Sequence, residues 1–158
     1  MNDEVLRLDN QLCFRLYRLS RMFVRLYQPA LDYLGLTYPQ YLVMLVLWEH
    51  EAIDYKSLGQ RLELQTGTLT PIIDKLEAHG FARRVRNPED SRRTSVTITE
   101  HGAALKERVL ELVDAFDESS EFEQKKYSEY ARVLDELAAT LSRLEQRAGE
   151  PDPKGAFS

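Results

Sequence analysis

Apolar residues recur in the first part of the chain at Leu6, Cys13, Leu16, Tyr17, Phe23, Val24 and Tyr27, close to the 3.6-residue period of an amphipathic helix. Pro29 predicts an interruption near residue 28, because proline lacks a helix donor and crowds the preceding turn. Gly35 marks a turn, and Thr37 supplies the N-cap for a helix over 38–49 with Pro39 in its first turn. Asp54 caps a short helix over 55–62 that carries Leu58 and Leu62 on one side. Thr66 or Thr68 opens the next helix, over 66–79, with Leu69, Ile72, Ile73 and Leu76 on one face and Gly80 as the stop signal. The period then changes. Residues 94–99 alternate well and are β-branched, residues 81–86 alternate less cleanly, and Asn87-Pro88-Glu89-Asp90 turns between them, which predicts a β-hairpin. Thr99-Glu100-His101-Gly102 restarts a helix that continues to about residue 116. A last helix covers roughly 123–147, with Tyr127, Tyr130, Leu134, Leu137, Leu141 and Leu144 on one side.

The fold class this implies is α+β and mostly helical. A winged helix-turn-helix unit over 37–100 follows an N-terminal helical segment (1–36) and precedes C-terminal helices (101–148) and a Pro/Gly-rich tail (149–158). The apolar faces of the first and last helices are larger than the small central unit covers, so two copies are expected to intertwine them in a homodimer interface. With 158 residues, 43% of them hydrophobic and 30% charged, the chain has ordinary globular composition rather than that of a disordered segment. No apolar run reaches the length of a membrane span and the N-terminus lacks a signal-peptide pattern, so a cytoplasmic protein with no membrane partner is expected.

The formal net charge of −5 alone argues against a nucleic-acid partner. Its distribution reverses that reading. Arg83, Arg84, Arg86, Arg92 and Arg93 surround the hairpin against Glu89 and Asp90 only, and screening lets a local basic feature meet phosphates on an otherwise acidic body. The helix over 66–79 fits a major groove, and Gln65, Thr66, Thr68, Thr70, Pro71 and Lys75 are its candidate DNA-contact positions. Arg86, Arg92 and Arg93 are the candidate wing contacts, arginine being favoured in a narrow minor groove, and Asp90 stands where it either orients Arg92 or caps the turn. The alternative, a helix-turn-helix used only for packing beside a basic edge that deters strand pairing, leaves the arginine cluster unexplained.

The stretch 58–102, with LGQRL and TGTLTPIIDKLEAHGFARRVRNPEDSRRTSVTITEHG, resembles the MarR-type winged-helix family. The D-x-R element Asp90-Ser91-Arg92 and the T-x-x-G start of the following helix match that family's wing. The resemblance implies a dimer whose wings and recognition helices address a palindromic site on double-stranded DNA.

The single cysteine excludes an internal disulfide, and His50, His79 and His101 are too scattered for a metal site, so no cofactor or metal is expected. A lone cysteine on an apolar helix face is commonly a small core residue. Here Tyr17 follows Cys13 by one helical turn, Tyr27 lies further along the same stripe, and Tyr38 begins the next long helix. Phenolic hydroxyls aimed at sulfur favour the thiolate, and so does a helix start near Asp9; thiolate is the form that peroxides attack. The segments Leu8-x-x-Gln11-Leu12-Cys13-Phe14-x-Leu16-Tyr17, Leu36-Thr37-Tyr38-Pro39-Gln40-Tyr41 and Leu47-Trp48-Glu49-His50-Glu51 resemble the organic hydroperoxide resistance repressors, in a one-cysteine form. That resemblance implies a sensor cysteine at Cys13, hydrogen-bonded by Tyr17, Tyr27 and Tyr38, with Tyr38 reaching across from the other subunit and an organic hydroperoxide as inducer. It implies a repressor, not an enzyme. The alternative is a repressor released by reversible binding of a small apolar or phenolic ligand in the same pocket.

Overall fold

The computed structural model describes residues 3–86, 90, 93–119 and 124–149. Two short 3-10 turns, Asp3–Leu6 and Leu8–Asn10, lead into α1 (Leu12–Leu34), which therefore starts later than the apolar recurrence from Leu6 suggests. The interruption expected at Pro29 does not occur. Pro29 lies inside α1, and the carbonyl its missing N–H orphans belongs to Arg25; both residues are exposed, so solvent satisfies that group. Gly35 ends the helix in the left-handed region at φ 70°. Its N–H reaches Asp32 O at 3.2 Å and the Leu36 N–H reaches Leu31 O at 3.0 Å, an arrangement that satisfies the last carbonyls of α1.

Thr37 and Gln40 form a capping box at the start of α2 (Tyr38–His50), where buried Gln40 accepts the Thr37 N–H at 2.8 Å. A strand too short to leave a pattern in the sequence, β1 (Ala52–Asp54), comes next, and Asp54 caps α3 (Tyr55–Arg61) by accepting the N–H groups of Lys56 and Ser57 at 3.0 and 3.3 Å. The recognition-helix candidate α4 (Thr66–Ala78) has Gln65 as its N-cap. Neither threonine considered for that role holds it, and Pro71, which a Thr68 cap would have put in the first turn, falls in the helix interior. The strands β2 (Ala82–Arg86) and β3 (Thr94–Ile98) pair antiparallel, and β1 adds to the other side of β3, giving the order β1-β3-β2. Buried Val96 pairs with Ile53 on one side and Arg84 on the other. The helices α5 (Glu100–Ser119) and α6 (Gln124–Gly149) complete the chain.

One core unites the elements up to α5. Leu31 and Leu34 of α1 join Val43, Met44 and Leu47 of α2, Leu58 of α3, Leu69, Ile73 and Leu76 of α4, Val96 of β3, and Leu105 and Val109 of α5. The T-x-x-G motif has a packing cause. Thr99 accepts the Gly102 N–H at 3.0 Å and donates to Gly80 O, while a Cβ on Gly102 would stand 2.0 Å from Phe81 O. Trp48 donates its indole N–H to Gly102 O at 2.9 Å, tying α2 to the same junction. The chain divides into two compact units, Met1–Val113 and Asp114–Ser158. In the second, α6 exposes Tyr127, Tyr130, Val133, Leu134, Leu141 and Leu144.

Candidate nucleic-acid interface and cysteine site

A helix packed on one side presents the other, and α4 does so cleanly. Leu69, Ile73 and Leu76 anchor it in the core, and the 3.6-residue period then turns Thr68, Pro71 and Lys75, all exposed, to the opposite face. Gln65, Thr66 and Gly67 are exposed at its start. The N–H groups of Thr68 and Leu69 both reach Gln65 O at 3.0 Å, and those of Thr66 and Gly67, the first two of the helix, point beyond its end, where partial positive charge favours an anion. Thr70 faces elsewhere. It is half-buried, its hydroxyl lies 2.9 Å from Tyr55 Oη, and it donates to Thr66 O at 2.9 Å, so this candidate contact is engaged inside the fold.

The arginine cluster divides in the same way. Arg83 and Arg86 are exposed on β2, and Arg93 is exposed at the foot of β3, where its guanidinium is 3.9 Å from Asp54 and its N–H reaches Asp90 O at 2.9 Å. Asp90 is exposed, and Arg92 lies outside the described residues. Arg84 turns inward: its guanidinium pairs with Asp74 at 2.7 Å and with Glu77, donates to Thr70 O at 3.2 Å, and lies 5.8 Å from the centre of the Tyr55 ring. Burial opposes its charge, but the hydrogen bonds it donates to Asp74 and Tyr55 and the charges of Glu77 and Asp74 outweigh that, and its pKa is raised. The basic hairpin is therefore less basic toward solvent than the sequence suggested. Lys56, which sequence reasoning passed over, compensates: it is exposed at the start of α3 and lines an open cleft with Thr66 and Arg93.

Cys13 is exposed on α1 and is that helix's second residue, with Gln11 rather than Asp9 as the N-cap. The same helix leaves Leu12, Leu19, Met22, Phe23 and Leu26 exposed as an apolar band, and Cys13 lies to one side of it on the stripe of Tyr17 and Tyr27. Tyr17, one turn on, is also exposed; its hydroxyl accepts from Arg21 at 3.4 Å, and the Arg21 guanidinium lies 5.5 Å from its ring centre. Tyr27 and Tyr38 are half-buried and meet each other, with ring centroids 6.0 Å apart. Tyr41 completes the cluster, 6.1 Å from Tyr27 and 6.3 Å from Tyr38, and leads on to Trp48 at 6.3 Å. Burial, followed by the neighbouring Tyr27 and Tyr38 phenols, raises the Tyr41 pKa. In the sequence Tyr41 and Trp48 stand out only as members of the segments 36–41 and 47–51; the contact of Tyr41 with Tyr27 depends on α1 packing on α2.

Tyr27 stands fourteen residues beyond Cys13 on α1, about 21 Å along the axis at 1.5 Å per residue. Within one chain, neither Tyr27 nor the Tyr38 packed beside it reaches the sulfur.

Residues 25–109 match the family model described as transcriptional regulator SarA/Rot. The organic hydroperoxide resistance transcriptional regulator of Bacillus subtilis (strain 168) is 47% identical over 107 residues, 68% of this chain and 73% of that protein. The HTH-type transcriptional regulator TtmR of Methylorubrum extorquens (strain PA1) is 40% identical over 150 residues, 95% of this chain and 75% of that protein. Reduced AbfR bound to DNA is 40% identical and has a TM-score of 0.78, covering 91% of this chain and 99% of that one. Overoxidized AbfR bound to DNA is 39% identical with a TM-score of 0.75 over 91% and 99% of the two chains, and disulfide-formed AbfR is 38% identical with a TM-score of 0.61 over 91% and 96%. With its fold and its relatives in agreement, the chain belongs to the MarR-type family of winged-helix transcriptional regulators, in the organic hydroperoxide resistance group.

Proposed function

We propose that two copies of this chain repress transcription by binding a palindromic operator, and that oxidation of Cys13 by an organic hydroperoxide releases them. The observation that carries this reading is the position of Cys13, in the first turn of a helix whose exposed apolar band calls for a partner. Because Tyr27 of the same chain lies too far along α1, with Tyr38 of α2 packed beside it, the phenols of these two that hydrogen-bond the sulfur come from the partner subunit, with Tyr17 supplied in cis. The sensor then exists only in the dimer, so its state and the spacing of the two DNA-reading heads belong to one interface.

The thiolate attacks the terminal peroxide oxygen. An S–O bond forms as O–O breaks, sulfur loses two electrons, and the alkoxide takes a proton and leaves as the alcohol. The sulfenic acid then condenses with a small thiol, releasing water and leaving a mixed disulfide. The chain has one cysteine, so the second sulfur comes from outside it or from the partner's Cys13. That AbfR is found on DNA in its overoxidized form, and that its disulfide form has the lower TM-score of the two, supports assigning release to the bulkier disulfide step. Before oxidation, in the reduced dimer, Lys75, Thr66 and Thr68 read the major groove, while Arg86, Arg92 and Arg93 hold the wing to the minor groove and backbone, with Asp90 orienting Arg92 or capping the turn and half-sites about 34–36 Å apart.

The test treats the reduced protein with equimolar cumene hydroperoxide and dimedone, reads intact mass, and follows DNA binding in parallel with and without a small thiol. Stoichiometric dimedone adduct on wild type and none on Cys13→Ser, with operator release only when the thiol is present, is the expected result. Release of Cys13→Ser by the same treatment would replace oxidation with reversible ligand binding, and sustained peroxide turnover with thiol would make the chain a peroxidase.

A further inference from the structure

The recognition helix has a weak point. Pro71 lies inside α4, so the Gly67 carbonyl receives no i+4 hydrogen bond from the chain, and proline in a helix interior invites a kink there. Directly beyond that point, on a face flanking both the core and the outward residues, Thr70, Asp74 and Glu77 stand in one row at i, i+4 and i+7. Arg84 contacts all three. Its guanidinium bonds Thr70 O at 3.2 Å and Asp74 at 2.7 Å and pairs with Glu77, and its backbone N–H donates to the other Glu77 oxygen. The row spans about 10 Å of helix at 1.5 Å per residue, so the fork of one side chain braces roughly two turns. The other end of the brace is fixed by pairing: Arg84 lies in β2 opposite buried Val96 of β3. Tyr55 of α3 joins the same network through Thr70, with its hydroxyl 2.9 Å away. At 26% side-chain exposure between two carboxylates, the Arg84 charge is committed inside the fold.

We propose that Arg84 is a positioning residue of DNA recognition, a strap that fixes the rotation and tilt of α4 against the wing. With it in place, Thr68 and Lys75 on the helix and Arg86 and Arg93 on the wing face one duplex in a single register. It acts through α4 and touches no phosphate. The proposal rests on the DNA-binding reading above, and it assigns a basic residue of the wing to specificity rather than to affinity.

The experiment compares the dimer with Arg84→Met, Arg84→Lys and the double variant Asp74→Asn/Glu77→Gln. It reads operator affinity, affinity for random duplex, and the slope of log affinity against log salt, with Arg86→Ala as the phosphate-contact control. Arg84→Met is expected to lower operator affinity by about tenfold or more while random-duplex affinity and the salt slope stay at wild-type values; the control loses about one unit of slope. Arg84→Lys should fail to rescue, since one ammonium cannot replace the fork. The double variant should also lose its operator preference, although it removes two negative charges. A slope loss in Arg84→Met restored by Arg84→Lys would make Arg84 a phosphate ligand and overturn the proposal, as would unchanged operator preference in the double variant. Hydrogen exchange of residues 66–78 in the free protein decides the strap without DNA: faster exchange there in Arg84→Met supports it, and unchanged exchange sinks it. If wild type binds no duplex in a salt-dependent way, the DNA-binding reading fails while the exchange result still judges the strap.

Discussion

Gly102 shows how one atom at one position sets the geometry of the domain. It is buried at the third position of α5, where its N–H is held by Thr99 and its carbonyl accepts from Trp48. A Cβ there would be 2.0 Å from Phe81 O, 2.9 Å from the Phe81 carbonyl carbon and 3.1 Å from an Ile98 side-chain carbon. Two of those neighbours are backbone at the junction between α4 and β2, which cannot yield as a flexible side chain does. Gly102→Ala is therefore expected to lose about 3 kcal/mol or more, read by urea denaturation. Gly67→Ala supplies the contrast. Its Cβ would meet nothing within 4 Å, and the gain in helix propensity predicts a stabilisation of about 0.5–1 kcal/mol. Equal losses at the two positions would mean that the close approach at Gly102 is not what the motif protects. The sequence held the glycine and its threonine in plain view, whereas the carbonyl they pack against belongs to residue 81 and became visible only with the fold.

Helices were legible where an apolar stripe had a core to meet. The stripe on α4 places Leu69, Ile73 and Leu76 against the core as expected, with Gly80 ending the helix at φ 71°. What failed to show was anything decided by a neighbouring element. The strand β1 is three residues long and exists because β3 offers it an edge. Arg84 reads as one more basic residue in an arginine-rich run, and only the pairing of β2 with β3 turns it toward α4. The N-cap is Gln65, three residues before Thr68, the candidate cap that would have put Pro71 in the first turn. That shift has a measurable consequence. With Pro71 in the helix interior, Pro71→Ala restores a hydrogen bond to Gly67 O and should stabilise the free protein by about 1–3 kcal/mol in urea. Had proline occupied the first turn, the same change would leave stability nearly unmoved. Because Pro71 is also exposed on the outward face, operator affinity is expected to fall in the same variant, separating helix stability from recognition.

At the scale of the molecule, the apolar surface of one chain is unsettled business for the whole. The α1 helix leaves Leu12, Leu19, Met22, Phe23 and Leu26 between 45% and 55% exposed, and α6 leaves Tyr127, Tyr130, Val133, Leu134, Leu141 and Leu144 between 46% and 60% exposed. Fully burying one such side chain stabilises by roughly 1.5–3 kcal/mol, so covering even part of these two faces amounts to a large fraction of a domain's net stability of about 5–15 kcal/mol. If, as proposed, the sensor takes its tyrosines from a second copy and that copy covers these helices, the chain should not unfold as an independent monomer. Its unfolding is expected to follow a dimer-to-two-chains equilibrium, in which each tenfold rise in chain concentration adds about 1.4 kcal/mol and raises Tm. Differential scanning calorimetry over two decades of concentration measures this directly. Leu141→Glu, which sets a charge in the α6 face, should lower Tm and weaken dimerisation, while the winged unit, with its own core of Leu47, Leu58, Ile73 and Val96, keeps its helical signal at low temperature. A Tm independent of concentration in the wild type would mean that the two faces find each other within one chain. The sensor tyrosines would then have no partner subunit to come from, and the redox reading would fail with the dimer.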